Sequence, residues 1–354
     1  MILIISTTQG HGGGAERVLC ELLTGWPAEW SPLTVVSPPN SSVYDCAMDK
    51  GLKLIALPSP RDALIENISA LLKIRHKLPH CDLVHAWSAR GFELAWLVGL
   101  KQKVVSSGTL HDHPHAYFHG RFRQYIMKRM ANRLDSMVCV SNAVAMACQE
   151  FGYRCPLPVI YNGLNDVQRN KKGKDSPVRI GFLGMNAVGK GFHLILDWIV
   201  KTDDKSVKWQ LYGEVSPTLA GAVKRMQDEC DSRSVELKGR QPSKDIFNEI
   251  DILVHASTNF DSLPTVLIEA ARASIPALAS DLGGASEIVE DGKTGFLFSP
   301  QNPDDGFEKL QRVIDSLVLR ADLGKNARDI YKQKFAIEVM AREYHQFWDF
   351  LIQH

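Results

Sequence analysis

Short apolar runs alternate along almost the whole chain with longer stretches in which apolar residues recur every three to four positions. The short runs fit strands buried on both faces, and the intervening helical period fits helices that cover them. This pattern predicts an α/β fold of repeated β-α units with parallel sheets. Strands are expected at 2–6, 33–37, 52–57, 83–86, 104–107, 137–140 and 159–161, and then at 178–183, 208–212, 235–238, 252–254, 276–279 and 296–298.

The two sets are separated by LNDVQRNKKGKDSP at 164–177, which is polar, charged and without apolar periodicity, as an interdomain connection is. The expected organisation is two Rossmann-like parallel-sheet domains, 1–165 and 178–336, facing a central cleft, with a linker over 166–177. A final helix over 337–354 is expected to pack back across the hinge. Its aromatics Tyr344, Phe347, Trp348 and Phe350 fit a core stripe better than a ligand box.

Composition narrows the function. A chain of 354 residues is long enough for two cores. Its 41 basic and 40 acidic side chains create no global field that would draw nucleic acid. Seven scattered cysteines without a C-x-x-C pair suggest neither a disulfide framework nor a zinc site, and fit a reducing compartment. No apolar run approaches the roughly 20 residues of a membrane span. The first residues lack the basic flank of a leader and read as the first strand. A cytoplasmic protein is expected, at most peripheral on the inner face of a membrane.

Three glycine-rich loops carry candidate chemistry. GHGGGAER at 10–17 lies between a strand and a helix and satisfies G-x-G-x-x-A, but the second strand ends VVSPP with no acid to hold a ribose. That excludes a nicotinamide site and leaves a loop, with Gly13 and Gly14, whose backbone can approach an anionic ligand at a helix start. GMNAVGKG at 184–191 nearly spells a triphosphate-binding loop, yet Gly191 stands where Ser or Thr would ligate magnesium, which argues against a nucleotidase. Lys190 is still placed to meet a phosphate as a point charge. The third loop, Gly283-Gly284, would bring further amides to the same sheet edge.

FDSLPTVLIEA at 260–270 is the most informative stretch. Pro264 suits the first helical position, Ser262 is expected to cap, and the resulting helix N-terminus is a natural phosphate seat. Asp261 and Glu269 flank that seat, about 10 Å apart if the intervening residues are helical. In a parallel sheet, ligands sit beyond the carboxyl ends of the strands, which is where Lys190, Asp261 and the glycine loops all fall. A cation, amides and two hydroxyl-accepting carboxylates together suit a nucleoside diphosphate sugar.

These residues resemble glycosyltransferase family 4, retaining enzymes of the GT-B fold that include many bacterial envelope polysaccharide synthases. The resemblance rests on GGGAERVL, VSNAV, VIYNGLN, KG at Lys190, FDSLPTVLIEA and SDLGGASEIVEDGKTGFLF in that order, covering nearly the whole chain. It implies that Glu269 holds the ribose hydroxyls, that Asp261 contacts the transferred sugar and that amides near Thr265 and Val266 hold the pyrophosphate. It counts Asn162 among the donor-binding residues and puts His111 beside the transferred sugar. It implies no metal or other cofactor. The donor is expected to be a UDP-sugar, with GDP as the next carrier, and the acceptor a saccharide or lipid-linked saccharide of lipopolysaccharide, O-antigen or capsule synthesis.

Two positions depart from the family pattern. Asp261 replaces a Glu, and Met185 stands where an Arg commonly pairs with the lysine on the pyrophosphate; Arg240 is the candidate replacement. They support an alternative reading, a catalytically impaired GT-B protein that binds sugar nucleotide. His111, Asp112, His113, His115 and His119 could be read as metal ligands, but Pro114 interrupts the run, so no helical i, i+4 pair of the zinc-protease kind is expected. The segment 118–134 carries five basic residues and no acid between apolar ones, and is expected either to meet an anionic membrane surface or to be a solvated face over a core stripe.

Overall fold

The computed structural model describes residues 1–10, 13–58, 64–114, 121–170, 177–184, 188–202, 206–229 and 234–354. They form two compact units: Met1–Asn165 together with Lys334–His354, and Asp166–Gln333.

In the first unit, strands β1 (Ile2–Ile5), β2 (Leu33–Ser37), β3 (Lys53–Ala56), β4 (Leu83–Ala86), β5 (Val105–Leu110) and β6 (Ser136–Cys139) form a parallel sheet of order 3-2-1-4-5-6. The second unit repeats this order with β7 (Val178–Leu183), β8 (Val207–Tyr212), β9 (Val235–Gly239), β10 (Ile252–His255), β11 (Ala277–Ser280) and β12 (Gly295–Phe298). Most strands are apolar runs because helices cover both faces of each sheet; the edge strands β3 and β9, with Lys53, Glu236 and Lys238, are the clearest exceptions. The chain reverses its direction of strand addition between β1 and β4 and again between β7 and β10, and such points open a crevice at the carboxyl ends.

Residues 159–161 do not form the expected seventh strand. Only Val159 bridges β6, because Pro156 and Pro158 beside it offer carbonyls to Met137 and Cys139 but no N–H to a ladder. Ser141, within VSNAV, caps the Asn142–Glu150 helix through Val144 N–H at 3.1 Å.

The Ile337–Gln353 helix belongs to the first unit. Ile337, Met340, Tyr344 and Trp348 are buried with Ile4, Leu22, Leu83 and Trp87, whereas Phe350 is 58% exposed and departs from the expected aromatic core. A polar network crosses this apolar contact. Trp348 Nε1 donates to His85 Nδ1 at 3.3 Å, Ser107 Oγ lies 2.8 Å from the same nitrogen, and His85 Nε2 lies 2.9 Å from Thr109 Oγ1. Because Nδ1 accepts from Trp348, the Nε2–H of a neutral His85 donates to Thr109, which in turn meets the Tyr344 hydroxyl at 2.8 Å. Where the chain leaves and re-enters this unit, Leu164 N–H donates to Phe335 and Ile337 N–H to Leu164.

The second core is built from Phe182, Phe192, Trp198, Trp209, Ile252, Phe298 and Leu310. Residues 166–170 are bound into this unit: Arg328 holds Asp166, and Arg169 Nε donates to the Phe247 carbonyl at 2.9 Å.

Candidate functional site

Lys190 and Asp261 follow β7 and β10, the two central strands of the second sheet, whose partners Phe182 and Val254 are in register. Lys190 Nζ donates to Asp261 Oδ2 at 2.6 Å, and His255 Nε2 lies 3.2 Å from the same oxygen. His255 is the last residue of β10 and is only 4% exposed. Burial opposes ionisation of Asp261, but the His255 hydrogen bond and the Lys190 and His255 charges outweigh it and hold the carboxyl well below the usual range.

The glycines around Lys190 answer a packing demand. Thr258 N–H donates to the Gly189 carbonyl at 2.8 Å, and a Cβ at 189 would lie 2.3 Å from Asn259. At Gly191 φ is +74°, and a Cβ would come within 1.8 Å of the Ala256 carbonyl. Both glycines thus press the lysine turn against the loop that carries Asp261.

Gly283-Gly284 acts in the same way. A Cβ at 283 would lie 2.0 Å from the Asp261 carbonyl oxygen, and Gly284 N–H donates to that oxygen at 2.9 Å. The Gly284 amide is therefore spent within the protein, contrary to the expectation that both would face a ligand.

The helix after Asp261 is Thr265–Arg272 with Pro264 at its N-cap, and no side chain caps it, so Ser262 does not take the expected role. Asp261 to Pro264 lie outside the helix, and the 10 Å spacing based on helical rise does not apply. Leu267 N–H reaches the Pro264 carbonyl at 2.9 Å; the amides of half-buried Thr265 and Val266, ahead of it, have no intrahelical acceptor. Glu269, on the next turn, is 4% exposed and accepts a hydrogen bond from Ser243 Oγ, three residues beyond the exposed Arg240.

Of the first-unit candidates, His111 directly follows β5, with its ring 5.1 Å from that of Trp87. Burial lowers its pKa to about 3, which the Trp87 backbone only partly opposes, so the imidazole is neutral. Trp87 Nε1 donates to the Ala15 carbonyl at 2.7 Å, which ties His111 to the start of the Gly14–Gly25 helix. There the expected anion seat already carries the protein's own carboxylate, since Glu16 Oε2 lies 1.7 Å from where a Cβ on Gly13 would be. Asn162 is buried in this unit, beside the point where the chain leaves it. Met185, Gly12, His115 and His119 lie outside the described residues.

Of the basic segment, Arg121–Ala131 is helical; Lys128 and Arg133 lie over the rings of Phe151 and Trp96, and Arg129 over Tyr125. Sequence reasoning missed His255, Ser243, Glu16 and Trp87.

Residues 12–168 match the family described as Glycosyltransferase Family 4, and residues 165–330 match that described as Glycosyl transferases group 1. An uncharacterized glycosyltransferase of Methanocaldococcus jannaschii is 27% identical over 61% of this chain and 59% of its own length. A poly(ribitol-phosphate) alpha-N-acetylglucosaminyltransferase of Staphylococcus aureus is 30% identical over 41% of this chain and 29% of its own length. The chain thus spans about three fifths or less of these two relatives. Among solved structures, Anabaena HepE in complex with UDP and glucose shares the fold with a TM-score of 0.81, at 19% identity, over 98% of this chain and 99% of its own. A lipopolysaccharide outer core galactosyltransferase in its apo form does so with a TM-score of 0.75, at 16% identity, over 98% of each chain.

Proposed function

The chain belongs to the family 4, group 1 glycosyltransferases of the GT-B fold, and from that premise we propose that it transfers a sugar from a nucleoside diphosphate sugar to a saccharide or lipid-linked saccharide. The observation that carries this reading is the ion pair of Lys190 with Asp261, beside uncommitted helix-start amides and an anchored Glu269. In the proposed reaction the anomeric C–O bond breaks and its electron pair leaves with the nucleoside diphosphate. Lys190 and the amides of Thr265 and Val266 stabilise that developing charge, so no metal is required. The acceptor oxygen bonds to the same face of the anomeric carbon, its proton passes to the departing phosphate, and configuration is retained.

A bound pyrophosphate would draw Lys190 away from Asp261 and free that carboxylate to accept from hydroxyls of the transferred sugar. Glu269, fixed by Ser243, would take the ribose hydroxyls, and Arg240 is the proposed supplementary cation. Neutral His111 suits a hydrogen bond to a sugar hydroxyl. UDP is the proposed carrier, and an envelope saccharide such as lipopolysaccharide, O-antigen or capsule the proposed product. Among the described residues no helix is long and apolar enough to cross a membrane. Attachment to an anionic inner-membrane surface through 118–134 is the proposed route to a lipid-linked acceptor.

Incubation with UDP- and GDP-sugars, read as donor hydrolysis and as thermal shift, tests the assignment. Turnover that falls by about a hundredfold or more in Glu269→Ala and Lys190→Ala is expected. Binding without turnover on any acceptor would select the impaired sugar-nucleotide binder instead, and absence of binding would overturn both.

A further inference from the structure

We propose that a cavity at the opposite edge of the second sheet binds a small phosphorylated molecule through a preorganised cationic wall. The cavity has a volume of about 510 Å³ and lies entirely within the second unit. Two of its lining residues, Asp251 and Pro276, immediately precede β10 and β11. It therefore sits at the amino ends of strands whose carboxyl ends carry the site described above.

Five lining side chains are cationic: Arg169, Arg320, Lys325, Arg328 and Lys332. Against them stand Asp251 and Asp329, and Asp251 is already shared by Arg179 at 3.4 Å and Arg169 at 3.8 Å. The arginines are held in place largely by neutral groups. Arg169 donates to the carbonyls of Phe247 and Ile250, Arg320 to those of Val313 and Ile314, and Arg328 to that of Arg272 while pairing with Asp166. Carbonyls orient a guanidinium without cancelling its charge; Asp166 and Asp251 offset Arg328 and Arg169, but Arg320, Lys325 and Lys332 outnumber the remaining lining acid, Asp329, so the wall stays positive and its geometry is set before a ligand arrives. Burial lowers the Arg169 pKa further than Asp251 raises it, and Arg179 adds a smaller depression.

The Leu317–Ile330 helix supplies most of this wall, with Leu317, Arg320, Ala321, Lys325 and Arg328 spaced along one face. Gly324 lets it approach closely, since a Cβ there would lie 2.3 Å from the Ser274 carbonyl oxygen. Ser274 itself lines the cavity at φ +57°, a left-handed conformation that is strained for a non-glycine residue and persists only where packing enforces it. Pro276, Leu317 and Ala321 add an apolar surface for the carbon body of a ligand. Concavity, volume, fixed guanidiniums and exposed lysines together suit a compact, multiply charged phosphate ester, free in solution or presented as a lipid headgroup.

The test titrates the full chain with inorganic pyrophosphate, and separately with vesicles of phosphatidylglycerol in phosphatidylcholine or of phosphatidylcholine alone. Lys190→Ala weakens the proposed pyrophosphate seat at the carboxyl ends of the strands, and the exposed pair Lys325→Gln/Lys332→Gln, made in that background, strips the cavity without touching its core or Arg240. We expect the Lys190→Ala chain to bind pyrophosphate or the anionic vesicles, more weakly as salt rises. The double variant should bind about tenfold less tightly. A pyrophosphate response that the double variant loses identifies a free phosphate, and a response to the anionic vesicles alone that the double variant loses, and that 118–134 therefore does not carry, identifies a headgroup. Failure of both probes to bind Lys190→Ala, or equal affinity in the double variant, would overturn the proposal. Neither result depends on sugar transfer.

Discussion

The Lys190 ammonium lies 2.6 Å from the Asp261 carboxylate, on a turn pressed against the Asp261 loop through Gly189 and Gly191. In the proposed reaction a cation held that close to its counter-ion would be captured by a pyrophosphate without a search through rotamers, and its release would free the carboxylate. Lys190→Ala is expected to lower kcat by about 10²–10³-fold, the usual cost of one lost charge-stabilising donor. Steady-state transfer or donor hydrolysis measures it; a loss confined to KM would refute a role in leaving-group stabilisation.

Gly283→Ala should damage the same carboxylate from behind. The left-handed φ of +60° and a Cβ 2.0 Å from the Asp261 carbonyl oxygen force the loop to move. A destabilisation of about 1–3 kcal/mol is expected, together with a loss of turnover from displaced Asp261. Gly292→Ala is the control: its φ is +72°, but a Cβ there meets nothing within 4 Å, so only the backbone strain of about 1 kcal/mol remains. Denaturant melts of the two variants should differ accordingly.

Acid stability should report the buried imidazoles. Burial holds His111 at a pKa of about 3 and His85, further repelled by His111, likewise at about 3. The unfolded chain takes up these protons below about pH 6.5 and the folded chain does not. Their stabilisation is complete above that pH and declines towards pH 3, by about 1.4 kcal/mol per pH unit for each histidine. His111→Phe keeps a ring beside Trp87 and removes one titration, so urea midpoints should fall less steeply between pH 6 and 4. An unchanged slope would mean that His111 is protonated in the folded state. Asp261 contributes on a different limb: its lowered pKa gives stability that is complete above about pH 4 and is lost only as pH falls further.

The helix Ile337–Gln353 should be indispensable to the first unit. Tyr344→Phe removes the 2.8 Å bond to Thr109 and should cost about 1 kcal/mol. Trp348→Ala opens a cavity in a fully buried position and should cost about 3–5 kcal/mol. Hydrogen exchange should show the added opening in β4 and β5 rather than in the second sheet.

The strands were legible because parallel strands covered on both faces must be apolar throughout; 33–37, 83–86 and 178–183 agree with the structure to the residue. Residues 159–161 look the same in an apolar profile, and only the missing N–H groups of Pro156 and Pro158 set them apart. Lys190, Asp261 and Glu269 stood out through neighbouring glycines and a proline at a helix start, which are local signals. What was not legible depends on approach over distance. Ser243 binds an acid 26 positions away, and Trp87 reaches a carbonyl 72 positions away. His255 did leave a trace, a polar residue ending the buried strand ILVH just ahead of Asp261. Its weight appears only once the ring is seen to share an oxygen with Lys190.

The return of the final helix to the first sheet sets an order for biosynthesis. Residues 166–333 form an uninterrupted unit and can fold as soon as they leave the ribosome. The half begun earlier has to wait, its hydrophobic seat uncovered, until Tyr344 and Trp348 emerge. The stretch translated ahead of residues 166–333 thus closes after them, its hydrophobic seat open to solvent in the interval.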